Sequence, residues 1–69
     1  RIVFKYHALF RLKRRGILEQ DIIDVLRYPD KIIKIYGKCY YIKNIGRGTL
    51  KVCCIKTEND IYVITVYWI

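Results

Sequence analysis

Acidic residues are scarce in this chain, and they are unevenly placed. Only six of its 69 residues are Asp or Glu, none of them within residues 1–15 or 31–56. Four acids fall between residues 19 and 30, where Arg27 is the only basic residue. Against them stand 14 lysines and arginines, for a formal charge of +8. Scattered lysines read as a solvated surface, but six basic groups within the first 15 residues are a different matter. Like charges packed so closely repel unless an anion lies among them.

Other absences narrow the chemistry. There is one histidine, His7, and no Cys-x-x-Cys pair, so no zinc-site spacing is present. The cysteines, Cys39, Cys53 and Cys54, are odd in number, which argues against a disulfide framework. Cys53 and Cys54 are neighbours in a strand pattern, so they should face opposite ways and act as small core hydrophobes. A reduced, cytoplasmic setting is expected. No apolar run approaches the roughly 18 residues of a membrane span, no signal-peptide pattern appears, and no membrane partner is expected. Phosphate loops, paired catalytic carboxylates, repeats and linkers are absent too, and neither a cofactor nor a metal is expected. The chain opens on Arg1 instead of methionine, as a trimmed or partial chain would.

What is present is apolar residue content, at 54%, with 14% aromatics and seven tyrosines. That excludes disorder. Sixty-nine residues form one domain, 1–69, of limited core size, so part of the apolar surface is expected to pack on a partner or a second copy.

Local pattern divides the chain near Lys31. Ile2-Val3-Phe4 reads as a short strand, and His7 to Arg15 as a helix ended by Gly16. Ala8, Leu9 and Leu12 form its apolar back. On its front, Arg11 lies roughly 40° from His7, Arg15 roughly 80°, and Arg14 roughly 20° the other way. A second helix runs from about Leu18 to Arg27 with a Leu18, Ile22, Val25, Leu26 stripe, and Tyr28-Pro29-Asp30 ends it. From Lys31 the period changes to two. Lys31–Tyr36, Cys39–Ile45, Thr49–Thr57 and Ile61–Trp68 read as strands joined by hairpin-length turns. In the last strand, simple alternation sets Tyr62, Ile64, Val66 and Trp68 on one face and Ile61, Val63, Thr65 and Tyr67 on the other. The expected fold is α+β, with two amino-terminal helices packed on one face of an antiparallel four- to five-stranded sheet.

The segment His7-Ala8-Leu9-Phe10-Arg11-Leu12-Lys13-Arg14-Arg15-Gly16-Ile17 resembles a family of small bacterial and archaeal proteins. Its hallmark is His-Ala-x-x-Arg-x-x-x-Arg-Gly-Ile. The later pieces also fit: Asp21 and Asp24 on an acidic helix, Tyr28-Pro29-Asp30, and Val63-Ile64-Thr65-Val66-Tyr67. That family is similar to the RelE, ParE and BrnT toxin superfamily of toxin–antitoxin systems. The resemblance implies a RelE-like, toxin-type domain that binds RNA, acts as a metal-independent endoribonuclease, and pairs with an acidic antitoxin. Two departures stand out. Leu18 occupies a helix start where the family often has Ser, Thr or Asp. RelE-like ribonucleases carry Arg, Lys and Tyr or His on the sheet and carboxyl-terminal segment, where only Arg47, Lys51 and Tyr67 are available here.

Each candidate has two readings. His7 is a general acid or base, or it packs the start of its helix. Arg11 and Arg15 hold a phosphate or its transition state, or they pair with Asp21 or Asp24 on the second helix. Tyr67 donates a hydrogen bond or proton, or it is a sheet aromatic. Arg14, Arg47 and Lys51 are candidate nucleic-acid contacts, with Arg14 a supporting charge and Arg47 otherwise a plain hairpin tip. Tyr40 and Tyr41 stack on unpaired bases or pack in a core or interface. The alternatives to a ribonuclease are a nonenzymatic RNA- or DNA-binding module and a protein-interaction module.

Overall fold

The computed structural model describes residues 1–69. Strand β1 (Ile2–Phe4) leads into helix α1 (Tyr6–Arg14) and helix α2 (Glu19–Arg27). Strands β2 (Lys31–Ile35), β3 (Lys38–Asn44), β4 (Thr49–Lys56) and β5 (Ile61–Trp68) follow. All seven elements lie where the change of period places them.

The strands form one sheet in the order β1-β5-β4-β3-β2. β2 to β5 are an antiparallel meander, whereas β1 pairs parallel to β5, with Ile2 opposite Ile61 and Phe4 opposite Val63. The sheet is therefore mixed, which corrects the all-antiparallel expectation. A β1–β5 pair brings together the two ends of the chain, and local sequence pattern carries no trace of it.

Both helices cover the same sheet face. Ala8, Leu12, Ile17, Ile22 and Val25 pack on Cys39, Tyr41, Leu50, Val52, Cys54, Val63 and Val66 in one buried cluster. Each fully buried aliphatic side chain there contributes about 1.5–3 kcal/mol. α1 lies along β5 and α2 lies over β3 and β4. Two residues assigned to the apolar stripes are instead exposed: Leu9, at 38%, and Leu18, at 64%. Leu9 falls on the flank of α1, and Leu18 precedes the first turn of α2, beyond the sheet.

Helix ends follow from particular residues. Gly16, at φ 64°, turns the chain after α1 and lets the Ile17 amide bond to the Leu12 carbonyl. At α2 the missing cap is half replaced, because Asp21 accepts from the Leu18 amide at 2.9 Å.

A β-bulge decides which side chains of β5 share a face. Cys53 pairs with Thr65 and the adjacent Cys54 with Val63, so Ile64 has no partner. The extra residue reverses the alternation. Val63 and Val66 are both buried in the core, while Tyr62, Thr65 and Tyr67 lie on the helix-free face. This corrects the simple alternation through Ile61–Trp68. Cys53 and Cys54 do face opposite ways, and all three thiols are free and buried.

Candidate functional site

β1 covers β5 only as far as Val63. Beyond it the chain turns into α1, which leaves the edge of β5 from Ile64 to Trp68 without a neighbouring strand. The gap between that edge and α1 is an open cleft of about 620 Å³, lined by His7, Arg11, Arg15, Ile64, Thr65, Tyr67 and Trp68. All four residues singled out as catalytic candidates line this one cleft, although Tyr67 is far from the others in sequence. No carboxylate lines it.

The cationic face of α1 is ordered by specific bonds. The Arg11 Nε–H donates to His7 Nε2 at 3.0 Å. His7 Nε2 is the acceptor of that bond, which holds the imidazole against the guanidinium on one face of α1. Arg15 reaches across to β5, where its Nη1 donates to the Val66 carbonyl at 2.8 Å. In return the Trp68 indole N–H donates to the Arg15 carbonyl at 3.1 Å. These two bonds tie the end of α1 to the edge strand. Neither Arg11 nor Arg15 pairs with an acid of α2, so the alternative reading of these arginines as ion-pair partners of Asp21 or Asp24 is not met.

The residue that pairs with α2 is Arg47. It sits in the turn between β3 and β4, donates to both carboxylate oxygens of Asp21, and reaches the Gly16 carbonyl at 3.4 Å. Its guanidinium also lies 5.7 Å from the Trp68 ring centre. The Arg47 hydrogen bond is the main reason the Asp21 carboxyl lies below its ordinary value, burial opposes it, and the Leu18 amide adds to the lowering. Arg47 is thus a clasp between the sheet and α2, outside the cleft lining.

Arg14 is exposed and packs on Phe10, 5.7 Å from the ring centre. With His7, Phe10, Arg11 and Arg15 it borders a second depression of about 340 Å³ on the outer side of α1. Lys51 lies on the helix-free face of the sheet, its ammonium 5.1 Å from the Tyr40 ring centre and 5.8 Å from that of Tyr67. Tyr40 also lies on this face and Tyr41 on the core side, where it is 6% exposed. Tyr41 is therefore unavailable to stack on a base. Burial, then Cys39 and Cys53, push the Cys54 thiol up to about 12, so it stays protonated and unreactive at neutral pH.

Sequence reading overlooked Trp68, the residue that joins the cleft to the Arg47 clasp. Its signal was Gly48. A Cβ there would meet the Trp68 ring at 2.8 Å, so the glycine and the indole are one fitted pair. Thr65, which alternation sets on the same face as Tyr67, comes with it to the rim of the cleft.

No helix is long and apolar enough to cross a membrane, and no three His, Cys, Asp or Glu side chains cluster as a metal site would require. No curated protein and no solved structure matches the chain. Residues 4–68, which hold α1, α2, the β5 edge and every residue of the cleft, match the model of the domain of unknown function DUF4258, and the chain belongs to that family.

Proposed function

We propose that the α1–β5 cleft binds RNA and, in the manner the toxin resemblance implies, cleaves it without metal. The observation that carries this reading is the uncompensated cationic cleft. Arg11 and Arg15 flank the His7 imidazole, with Tyr67 and Thr65 opposite and no carboxylate among the lining side chains. A phosphodiester supplies the missing negative charge.

The chemistry follows from these groups. An incoming phosphate draws the Arg11 guanidinium away from His7 and frees Nε2. His7 then takes the proton from a ribose 2′-hydroxyl as that oxygen attacks the adjacent phosphorus. Tyr67 gives its phenolic proton to the departing 5′ oxygen. Arg11 and Arg15 hold the charge that develops on the phosphoryl oxygens. The products are a 2′,3′-cyclic phosphate and a 5′-hydroxyl, and Tyr67 recovers its proton from His7 through solvent.

The test is cleavage of RNA by the purified protein in EDTA. Wild type should yield cyclic-phosphate ends, and His7→Ala should cut the rate by roughly 100-fold or more with little change in binding. Equal rates for both proteins would refute catalysis by His7. Binding without cleavage would leave a nonenzymatic RNA-binding module. A second reading, an acidic protein partner at the same place, is favoured by the open edge of β5 from Ile64 to Trp68, which can accept an extended segment.

A further inference from the structure

We propose that the helix-free face of the sheet is a stacking platform for unpaired RNA bases, continuous with the cleft, so that the ligand is single-stranded RNA. This rests on the RNA reading of the cleft and extends it from the phosphate to the bases.

Register assembles the face. Ile33, Tyr40, Cys53 and Thr65 form one cross-strand row, and Lys31, Ile42, Lys51 and Tyr67 form the next. Ile55, Tyr62 and Val3 form a third. The bulge at Ile64 brings Tyr62 onto the same face as Thr65 and Tyr67. Lys51 lies over the rings of Tyr40 and Tyr67, and Lys5 lies 5.2 Å from the ring centre of Tyr62. Aromatic rings interleaved with lysines suit a strand whose bases stack and whose phosphates are neutralised. The neighbouring Cys53 thiol, then burial, push the Tyr40 phenol upward, so its ring stays neutral beside the backbone.

Charge complementarity selects this occupant over a second copy. None of the five strands contains an aspartate or glutamate. Two such faces packed together would set Lys5, Lys31 and Lys51 of each against those of the other, with no acid to pair them. A polynucleotide supplies one negative charge per residue. A duplex keeps its bases stacked inside and offers the rings nothing. Tyr67 both lines the cleft and contacts Lys51. A strand with one phosphate in the cleft therefore sends its next base onto Tyr67, Lys51 and Tyr40.

The test compares three probes by fluorescence anisotropy: a labelled ten-residue adenosine RNA, an abasic RNA of equal length, and a blunt RNA duplex. Wild type should bind the adenosine strand about 10-fold or more tighter than the abasic strand, and the duplex no better than the abasic strand. Tyr40→Ala should weaken adenosine binding by about 10-fold and leave abasic binding unchanged. Tyr40→Phe, which keeps the ring, should match wild type. Thermal melts establish that each variant folds, and Tyr62→Ala gives the same comparison at the second ring if Tyr40→Ala does not fold. Equal binding of adenosine and abasic strands by wild type would overturn the platform while leaving the phosphate cleft intact. Failure to bind any of the probes would overturn both. A dimer weakened by Tyr40→Ala, with adenosine binding unaffected, would assign the face to a second copy and overturn the platform.

Discussion

The Arg15 guanidinium donates to the Val66 carbonyl, 51 residues away, on the one stretch of β5 edge that no strand covers. The bond makes Arg15 both a fastener and a wall of the cleft, whereas the only side-chain hydrogen bond of Arg11 is to His7, one turn away on its own helix. Stability and binding should therefore separate. Arg15→Ala should cost about 1–2 kcal/mol, because a charged donor is lost from a half-buried carbonyl. Arg11→Ala should leave the melting temperature nearly unchanged. Thermal denaturation of the two variants side by side checks this, and equal losses would show that Arg11 also braces the fold.

The Arg47–Asp21 clasp predicts a pH effect of definite sign. Asp21 is lowered below its ordinary 3.8 in the folded protein. The stability it contributes is thus present in full above about pH 5 and is lost as pH falls through the folded value, below 3.8. Asp21→Asn should remove this part of the acid sensitivity. At neutral pH it should cost about 1 kcal/mol, a modest figure because Arg47 is half exposed and solvent screens the pair. Urea melts of both proteins from pH 3 to pH 7 would show the curves converging at the acid end. Parallel curves would mean that the clasp carries no linked proton.

The fitted pair of Gly48 and Trp68 gives a third expectation. Gly48 has φ 152°, and any side chain there meets the indole ring. Gly48→Ala should displace Trp68, break its bond to the Arg15 carbonyl, and cost about 1–3 kcal/mol. Because Trp68 is the only tryptophan, its fluorescence maximum reports the displacement directly. A spectrum matching wild type would show that the turn yields and the ring does not.

The three thiols are buried, and Cys54 is held at about 12. Native protein at pH 8 should resist alkylation over the time in which guanidinium-unfolded protein reacts at all three sites. Rapid native labelling of Cys54 would show that β4 opens readily.

What was legible in the sequence was whatever repeats locally. The change of period at Lys31 located both helices and the meander, and helical spacing brought His7, Arg11 and Arg15 to one side of α1. Three things were not legible, each for a physical reason. The Ile64 bulge is a single unpaired residue, and it reverses the facing of everything after it without altering composition. The parallel β1–β5 pair joins segments about 60 residues apart. The partner of Asp21 is Arg47, in a turn 26 residues away, which no helical spacing reveals. Alternation gives Tyr67 its true neighbour, Thr65, but the presence of Tyr62 on the same face depends on the bulge.

The central claim is that Arg11 and Arg15 hold an RNA backbone in the α1–β5 cleft, and the salt dependence of RNA binding tests it most directly. Each phosphate contact to a single strand releases counterions and steepens the plot of log K against log salt by about 0.7. Arg11→Ala, whose fold should be intact, is predicted to weaken binding and to flatten that slope by about 0.7. A slope and affinity equal to wild type would contradict the claim and leave the cationic face of α1 without an RNA phosphate to hold.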